Sequence, residues 1–224
     1  MSIEGVDLSD FQSVDSFHAM QADGIGFAIS KATEGTGNVQ DTFAGNRDRA
    51  RSISMIFGAY HFLSWDADPV AQAEHFLSVY TPKNGDLPPM IDCEAFPGGD
   101  GPDSEFAKAS DAQKAAWRAQ ADAVMAGFNA VVEPRLGGSR CLLYANYANL
   151  QEQRFTTDNF AGHLLFIAEY NSSPEPSIPC TWTKATFWQY SGSGTVPGIT
   201  GEVDRDRFLG SAEELAALTL KGIA

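Results

Sequence analysis

The chain has 224 residues, enough for one sizeable core, and barrels of this size are routinely single units, so one domain over residues 1–224 is expected. Hydrophobic residues at 43% and charged residues at 20% exclude long disorder. Fifteen basic residues against 29 acidic ones leave a net charge of −14, which repels phosphate backbones and anionic membranes and argues against nucleic acid as a partner.

In chain order the first apolar run is "GVDLS" at 5–9, read as a strand, and a helix-like segment follows at 14–23. Strand "GFAISKA" at 26–32 precedes a helix over 40–52, and strand "MIFGAYHFL" at 55–63 precedes a helix over 68–80. The run "PPMIDCE" at 88–94 leads into "FPGGDGPDSEF" at 96–106, whose Gly, Pro and Asp content marks a loop. Helical apolar spacing returns at 111–131, and "PRLGGS" at 134–139 is a second turn-rich connection. Three more strands are read at "CLLYANY" (141–147), "LLFIAEY" (164–170) and "TFWQY" (186–190). Alternating strand and helix predicts βα units and a mainly parallel α/β sheet, and about eight strands close most economically as a barrel. Beyond residue 160 the helices thin out, so the barrel is expected to be irregular.

Other classes leave no mark. No run approaches the roughly 18 apolar residues of a membrane span, and "MSIEGVDLSD" lacks the basic segment and apolar core of a secretory leader. Cys93, Cys141 and Cys180 lie far apart without metal-ligand spacing, so each reads as a small buried hydrophobe. There is no glycine-rich phosphate loop and no nucleophile elbow, and no cofactor is expected. His18 and His75 fall on helices and His163 just before a strand, all as packing residues; His61 alternates with Tyr60 and is expected to brace the barrel wall.

The informative stretch is "LPPMIDCEAF" at 87–96. On a strand Asp92 and Glu94 face one way and Cys93 the other, which sets two carboxyls about 6–7 Å apart. Their repulsion pushes one toward its protonated form, leaving a proton donor beside an anion. A glycosidase needs that pair: one acid protonates the leaving oxygen and an anion supports the cationic sugar transition state. If the strands are parallel, Asp7 ends the first one at the same rim, and closure of the barrel brings Asp204 beside it. Four clustered acids can also hold Mg²⁺ or Ca²⁺ for phosphate-ester chemistry, but such a site wants basic groups that this acidic chain lacks, and no metal is expected. Polar and aromatic groups recur at strand ends in "SKATEG", "GAYHF", "LLYANY" and "FWQY", where sugars could stack.

Five motifs, "GVDLSDFQ", "ISKATEG", "FGAYHF", "LPPMIDCEAF" and "WQYSGSGTVPGITGEVDRDRF", occur in an order and spacing that resemble glycoside hydrolase family 25, the lysozymes that act as N-acetylmuramidases. The resemblance spans residues 4–208. It implies a flattened, TIM-like β/α barrel whose last strands lack helices. It also implies a retaining hydrolysis of the β-1,4 bond after N-acetylmuramic acid. By the same likeness Glu94 is the general acid/base, Asp92 the acid that orients and stabilises the reacting sugar, and Asp7 and Asp204 the flanking carboxylates. Lys31, Tyr60, Tyr144, Tyr170, Trp188 and Gln189 fall where the family lines its saccharide groove. Whether Asp92 attacks the sugar or steadies the substrate's own acetamido group stays open, with the family leaning to the second.

The implied partner is the glycan strand of bacterial peptidoglycan, met by a monomer outside the cytoplasm after phage lysis or a dedicated secretion route. A silent wall-binding module and a chitinase-like enzyme are the alternatives. Two departures stand out: Phe11 where the family more often has Trp, and "VDRD" where it more often has Val-Asp-Leu-Asn. The 96–106 loop is expected to shape the cleft.

Overall fold

The computed structural model describes residues 2–223. Eight strands form its frame: β1 (Ile3–Leu8), β2 (Ile25–Glu34), β3 (Ile56–Phe62), β4 (Met90–Asp92), β5 (Leu142–Asn146), β6 (Leu164–Ala168), β7 (Phe187–Gly194) and β8 (Val203–Phe208). From β1 through β7 each strand pairs in parallel with the next. Strand β8 runs antiparallel to both β7 and β1 and closes the barrel between them. That closure removes the need for a helix between β7 and β8, since antiparallel neighbours need only a short connection, while the parallel step from β6 to β7 is made by an irregular segment over 169–186.

Seven helices accompany the strands: α1 (Phe17–Ala22), α2 (Phe43–Ser52), α3 (Pro69–Val79), α4 (Glu105–Lys108), α5 (Asp111–Val132), α6 (Tyr147–Gln151) and α7 (Ala212–Leu218). Among the described residues none is long and apolar enough to cross a membrane. Caps set several starts: the Ser16, Asp68 and Ser110 side chains accept from backbone N–H groups in the first turns of α1, α3 and α5, and Ser211 forms a capping box with Glu214 on α7. The helix read at 14–23 is shorter because Ser13–Val14 pairs with Ile199–Thr200 before Ser16 caps α1. The helix read at 40–52 begins at Phe43, since the Gln40 backbone N–H returns to the Ala32 carbonyl.

Period-two alternation sorts the strand residues into two cores. Phe27, Ile29, Tyr60, Leu142, Phe166, Phe187 and Phe208 fill the barrel, with Leu215 of α7 packed among them. Val6, Leu8, Phe57, Ile91, Cys93, Leu143 and Ile167 face outward and share a second core with Phe76 of α3 and Phe128 of α5. His61 belongs to this outer layer, as expected. It bonds Thr33 and Gln72, stacks on Phe128 at 4.8 Å between centroids, and burial pulls it down to about 4, so it stays neutral. Cys93 and Cys141 are buried; Cys180 is only half-buried, because it lies in the irregular segment before β7 rather than on a strand.

On the face of β8 without a helix, a polar ladder replaces packing. Glu4 accepts from Tyr190 at 2.6 Å, Arg207 at 2.7 Å and Arg205 at 3.1 Å, and Arg207 lies over the Tyr190 ring.

Gly5 sits opposite Phe27 inside the barrel, where an added Cβ would fall 2.2 Å from the ring. Gly5→Ala is therefore expected to destabilise the fold by about 3 kcal/mol, the upper end for overpacking. A urea titration showing less than about 0.5 kcal/mol of loss would contradict the tight inner core.

Candidate active site

The C-terminal ends of the parallel strands meet the start of β8 at one rim. Asp7 pairs in register with Asp204, and Asp92 lies between Phe62 and Tyr144 on its neighbouring strands. A cleft of about 240 Å³ opens there, walled by Asp7, Asp92, Glu94 and Asp204 and by Lys31, Tyr60, Tyr144, Tyr170 and Gln189. All four acids expected from the sequence, and the expected groove residues with one exception, therefore share one surface.

Trp188 is the exception and a correction. It precedes Gln189 on β7, so when Gln189 points into the barrel Trp188 must point out. Its ring is 1% exposed in the outer core, and its indole N–H donates to the Glu169 carbonyl at 2.8 Å.

Strand β4 ends at Asp92, so Glu94 is held by other means. Its backbone carbonyl accepts the Trp65 indole N–H at 2.7 Å, Trp65 stacks on Phe96 at 4.3 Å, and Ala95 between them adopts a left-handed φ of 46°. A non-glycine residue in that region costs free energy, and it sits here directly after the acid.

A relay runs beneath the cleft. The Tyr144 and Tyr170 hydroxyls both donate to Gln189 Oε1, at 3.0 and 2.6 Å, which leaves Gln189 Nε2 to donate to Asp7 Oδ2 at 2.6 Å. Tyr144 Oη is also within hydrogen-bond reach of the Glu94 carboxyl. One phenol proton serves one acceptor: given to Glu94 it holds that carboxyl down, and given to Gln189 it does not.

Burial raises the Glu94 carboxyl above its usual range, reinforced by Asp100 and Asp204 and opposed by Tyr144 and Lys31. Burial, then the charges of Glu94 and Asp7, push Asp92 well up, again against Lys31. Asp7 is pushed well up by burial and by Asp204, against its bond from Gln189, and burial raises Asp204. So many close carboxyls cannot all be ionised, and the cluster shares protons. Lys31 is the cation of the wall, held by Glu34 at 2.6 Å and lying over Phe62 at 4.6 Å. Asp92 Oδ1 is buried with no donor among the described residues, an acceptor left open. Among those residues no group of three or more His, Cys, Asp or Glu side chains is placed to hold a metal ion.

Several wall residues were not evident from the sequence. Phe11, conspicuous there only as a departure, lines the cleft with its ring 93% exposed. Its loop is nonetheless fixed: Asp10 accepts from the Asp41 and Thr42 backbones and the Thr42 hydroxyl, and Gln12 ties Ser9 to the Glu202 carbonyl. The available signal was an aromatic inside the polar "SDFQ". The cleft continues on both sides. A hollow of about 200 Å³ shares Phe62 and reaches Trp65 and Pro97, and one of about 450 Å³ shares Glu94, Tyr144 and Tyr170 and reaches Tyr147 and Glu169. The 96–106 loop borders this groove, clamped by buried Arg154, which bonds Pro97 O and Asp100 and stacks 3.6 Å over Phe106.

A closed barrel that gathers an acid lifted above its usual range, a buried second carboxyl and exposed aromatics along one groove defines a glycoside hydrolase. Residues 6–199 match Glycosyl hydrolases family 25, and the chain belongs to that family. It is similar to Lysozyme M1 of Streptomyces globisporus, 30% identical over 220 residues that cover 96% of this chain and 71% of that one. An N,O-diacetylmuramidase of Arthroderma benhamiae is 29% identical over 218 residues, 96% of this chain and 85% of its own. The solved bacterial lysozyme of Streptomyces coelicolor superposes with a TM-score of 0.80 at 30% identity, covering 97% of this chain and 96% of that one.

Proposed function

We propose that this enzyme hydrolyses the β-1,4 bond between N-acetylmuramic acid and N-acetylglucosamine in bacterial peptidoglycan, with retained configuration. The observation that carries the reading is the pairing, in one aromatic-lined groove, of Glu94 held toward its protonated form and Asp92 with an open buried acceptor. The lysozyme and muramidase relatives support the same substrate.

Glu94 gives its proton to the glycosidic oxygen as the C1–O bond breaks. The acetamido carbonyl oxygen of the same sugar bonds to C1, and Asp92 accepts the acetamido N–H and balances the positive charge. Water then attacks C1, giving its proton to Glu94 and reopening the ring on the original face. Gln189, Tyr144 and Tyr170 aim the floor of the site through their bonds. The chain acts on the wall outside the cytoplasmic membrane, as a monomeric catalytic unit over residues 1–224.

The test is reducing-end release from purified peptidoglycan, with mass spectrometry of the new ends and chitin oligomers as comparison. Muramic acid ends from peptidoglycan, with chitin cleaved far more slowly, are expected; glucosamine ends alone would sink the bond assignment. Phe11→Ala is expected to raise KM about five-fold, the equivalent of about 1 kcal/mol of lost stacking, with kcat within about two-fold. An unchanged KM on polymeric substrate would remove Phe11 from the groove's binding surface.

A further inference from the structure

Asp206 takes part in none of these steps. It follows Asp204 by two residues on β8, so it enters the barrel on the same face one layer deeper, in register with Gly5 of β1 and Gln189 of β7. The residue has no solvent exposure, and neither carboxyl oxygen is reached by an N–H or hydroxyl donor among the described residues. The neighbouring donors are aimed elsewhere, and Arg205 Nε, itself without a partner among the described residues, does not reach it. Arg205 points out of the barrel to Glu4, and the Gln189 amide serves Tyr144, Tyr170 and Asp7. Two residues along β1 from Gly5, its register partner, Asp7 stands on the same inner face, the nearest polar side chain of that strand.

An ionised carboxylate buried without a donor is costly enough that the group keeps its proton instead. Burial, then the charges of Asp7 on β1 and Asp204 on its own strand, push Asp206 well above the carboxylate range, and Arg205 opposes them. A neutral carboxylic acid has one O–H to give. Asp7, one layer above, is the acceptor that lies within its reach.

We propose that Asp206 is a protonated acid that donates its O–H to Asp7 from beneath, a positioning residue that holds the Asp7 carboxyl facing the cleft. Asp7 then accepts from Gln189 and Asp206 together, and those two bonds oppose the burial and the Asp204 charge that push its carboxyl up and fix the direction in which it points. A carboxyl held in one orientation under the developing charge is how such a floor assists the reaction. The catalytic part of this inference rests on the hydrolase reading above; the protonation state does not.

Asp206→Asn keeps size and a donor, and Asp206→Val keeps approximate size without one. The Asn variant is expected to hold kcat within about two-fold of wild type, and the Val variant to lose about 10- to 100-fold in kcat with KM nearly unchanged. Independently, the Asp206 carboxyl carbon in the wild-type NMR spectrum is expected to stay at its protonated position from about pH 4 to about pH 8. Stability supplies a further reading. A raised carboxyl pKa contributes stability below the unfolded value of 3.8 that is lost as pH rises, so the Asn variant should gain on wild type progressively above that pH. Titration of Asp206 within that interval, wild-type kcat in the Val variant, or equal loss in both variants would each overturn the proposal. If the Val variant does not fold, the NMR titration and the Asn variant decide. If wild type cleaves no peptidoglycan, the functional reading falls while the titration still tests the proton on Asp206.

Discussion

Glu94→Gln is expected to lower kcat on peptidoglycan by about 10²- to 10⁴-fold, the usual worth of a positioned general acid, with little change in KM. Glutamine keeps the size of the side chain and can still meet Tyr144, so circular dichroism and urea stability should match wild type. What is lost is the transferable proton. The pH dependence has a stated sign. Burial lifts Glu94 above the usual range, so its acid form persists toward neutrality and activity falls as pH rises through that lifted value. Asp92, buried against Glu94 and Asp7, is lifted as well, so the profile reports apparent values of the coupled cluster and neither limb belongs to one residue. A Glu94→Gln enzyme that keeps more than about a tenth of wild-type kcat would transfer the acid role elsewhere.

The second large effect concerns Asp92. Asp92→Asn is expected to cost about 10²- to 10³-fold in kcat, comparable to removing one preorganised electrostatic partner of a transition state. The buried Oδ1 without a donor is the structural reason to expect it to accept an N–H from the substrate, since an open acceptor in a protein interior is costly unless a ligand completes it. If the substrate's acetamido oxygen is the nucleophile, replacing the N-acetyl group by trifluoroacetyl must slow wild type strongly, because fluorine withdraws the electrons that form the new bond. If Asp92 attacks C1 itself, that substitution changes little and an Asp92 glycosyl adduct accumulates in mass spectra of the quenched enzyme. The adduct would overturn the substrate-assisted route and leave the muramidase assignment standing.

Both predictions depend on a site that was partly legible in the residue order. Asp92-Cys93-Glu94 after an apolar run places two acids on one side of a strand end, and Asp7 ends the first strand in the same way. Parallel strands put all such ends at one rim, so their meeting follows from topology class alone. Trp188 shows where this reasoning stops. A one-residue change of register sends every side chain of a strand to its opposite face, and nothing in "FWQY" tells which of Trp188 and Gln189 looks inward. Helix starts were displaced by pairings such as Ser13–Val14 with Ile199–Thr200, which join residues far apart in the chain. Phe11 read as a departure from a motif until the ties from Asp10 to Thr42 fixed its exposed ring at the rim.

Asp206 is the clearest case. "VDRDRF" alternates acids with arginines, and nothing in that order sets Asp206 apart, yet Arg205 and Arg207 pair outside with Glu4 while Asp206 is sealed within. Residue order alone determined the fold class, the strand end at which Asp92 and Glu94 stand and the acids gathered around it, because those depend on local periodicity and on strand direction. Only the closed barrel decided which face each side chain takes, which acids lose contact with water and where their protons go, because burial and charge proximity arise between strands distant in sequence.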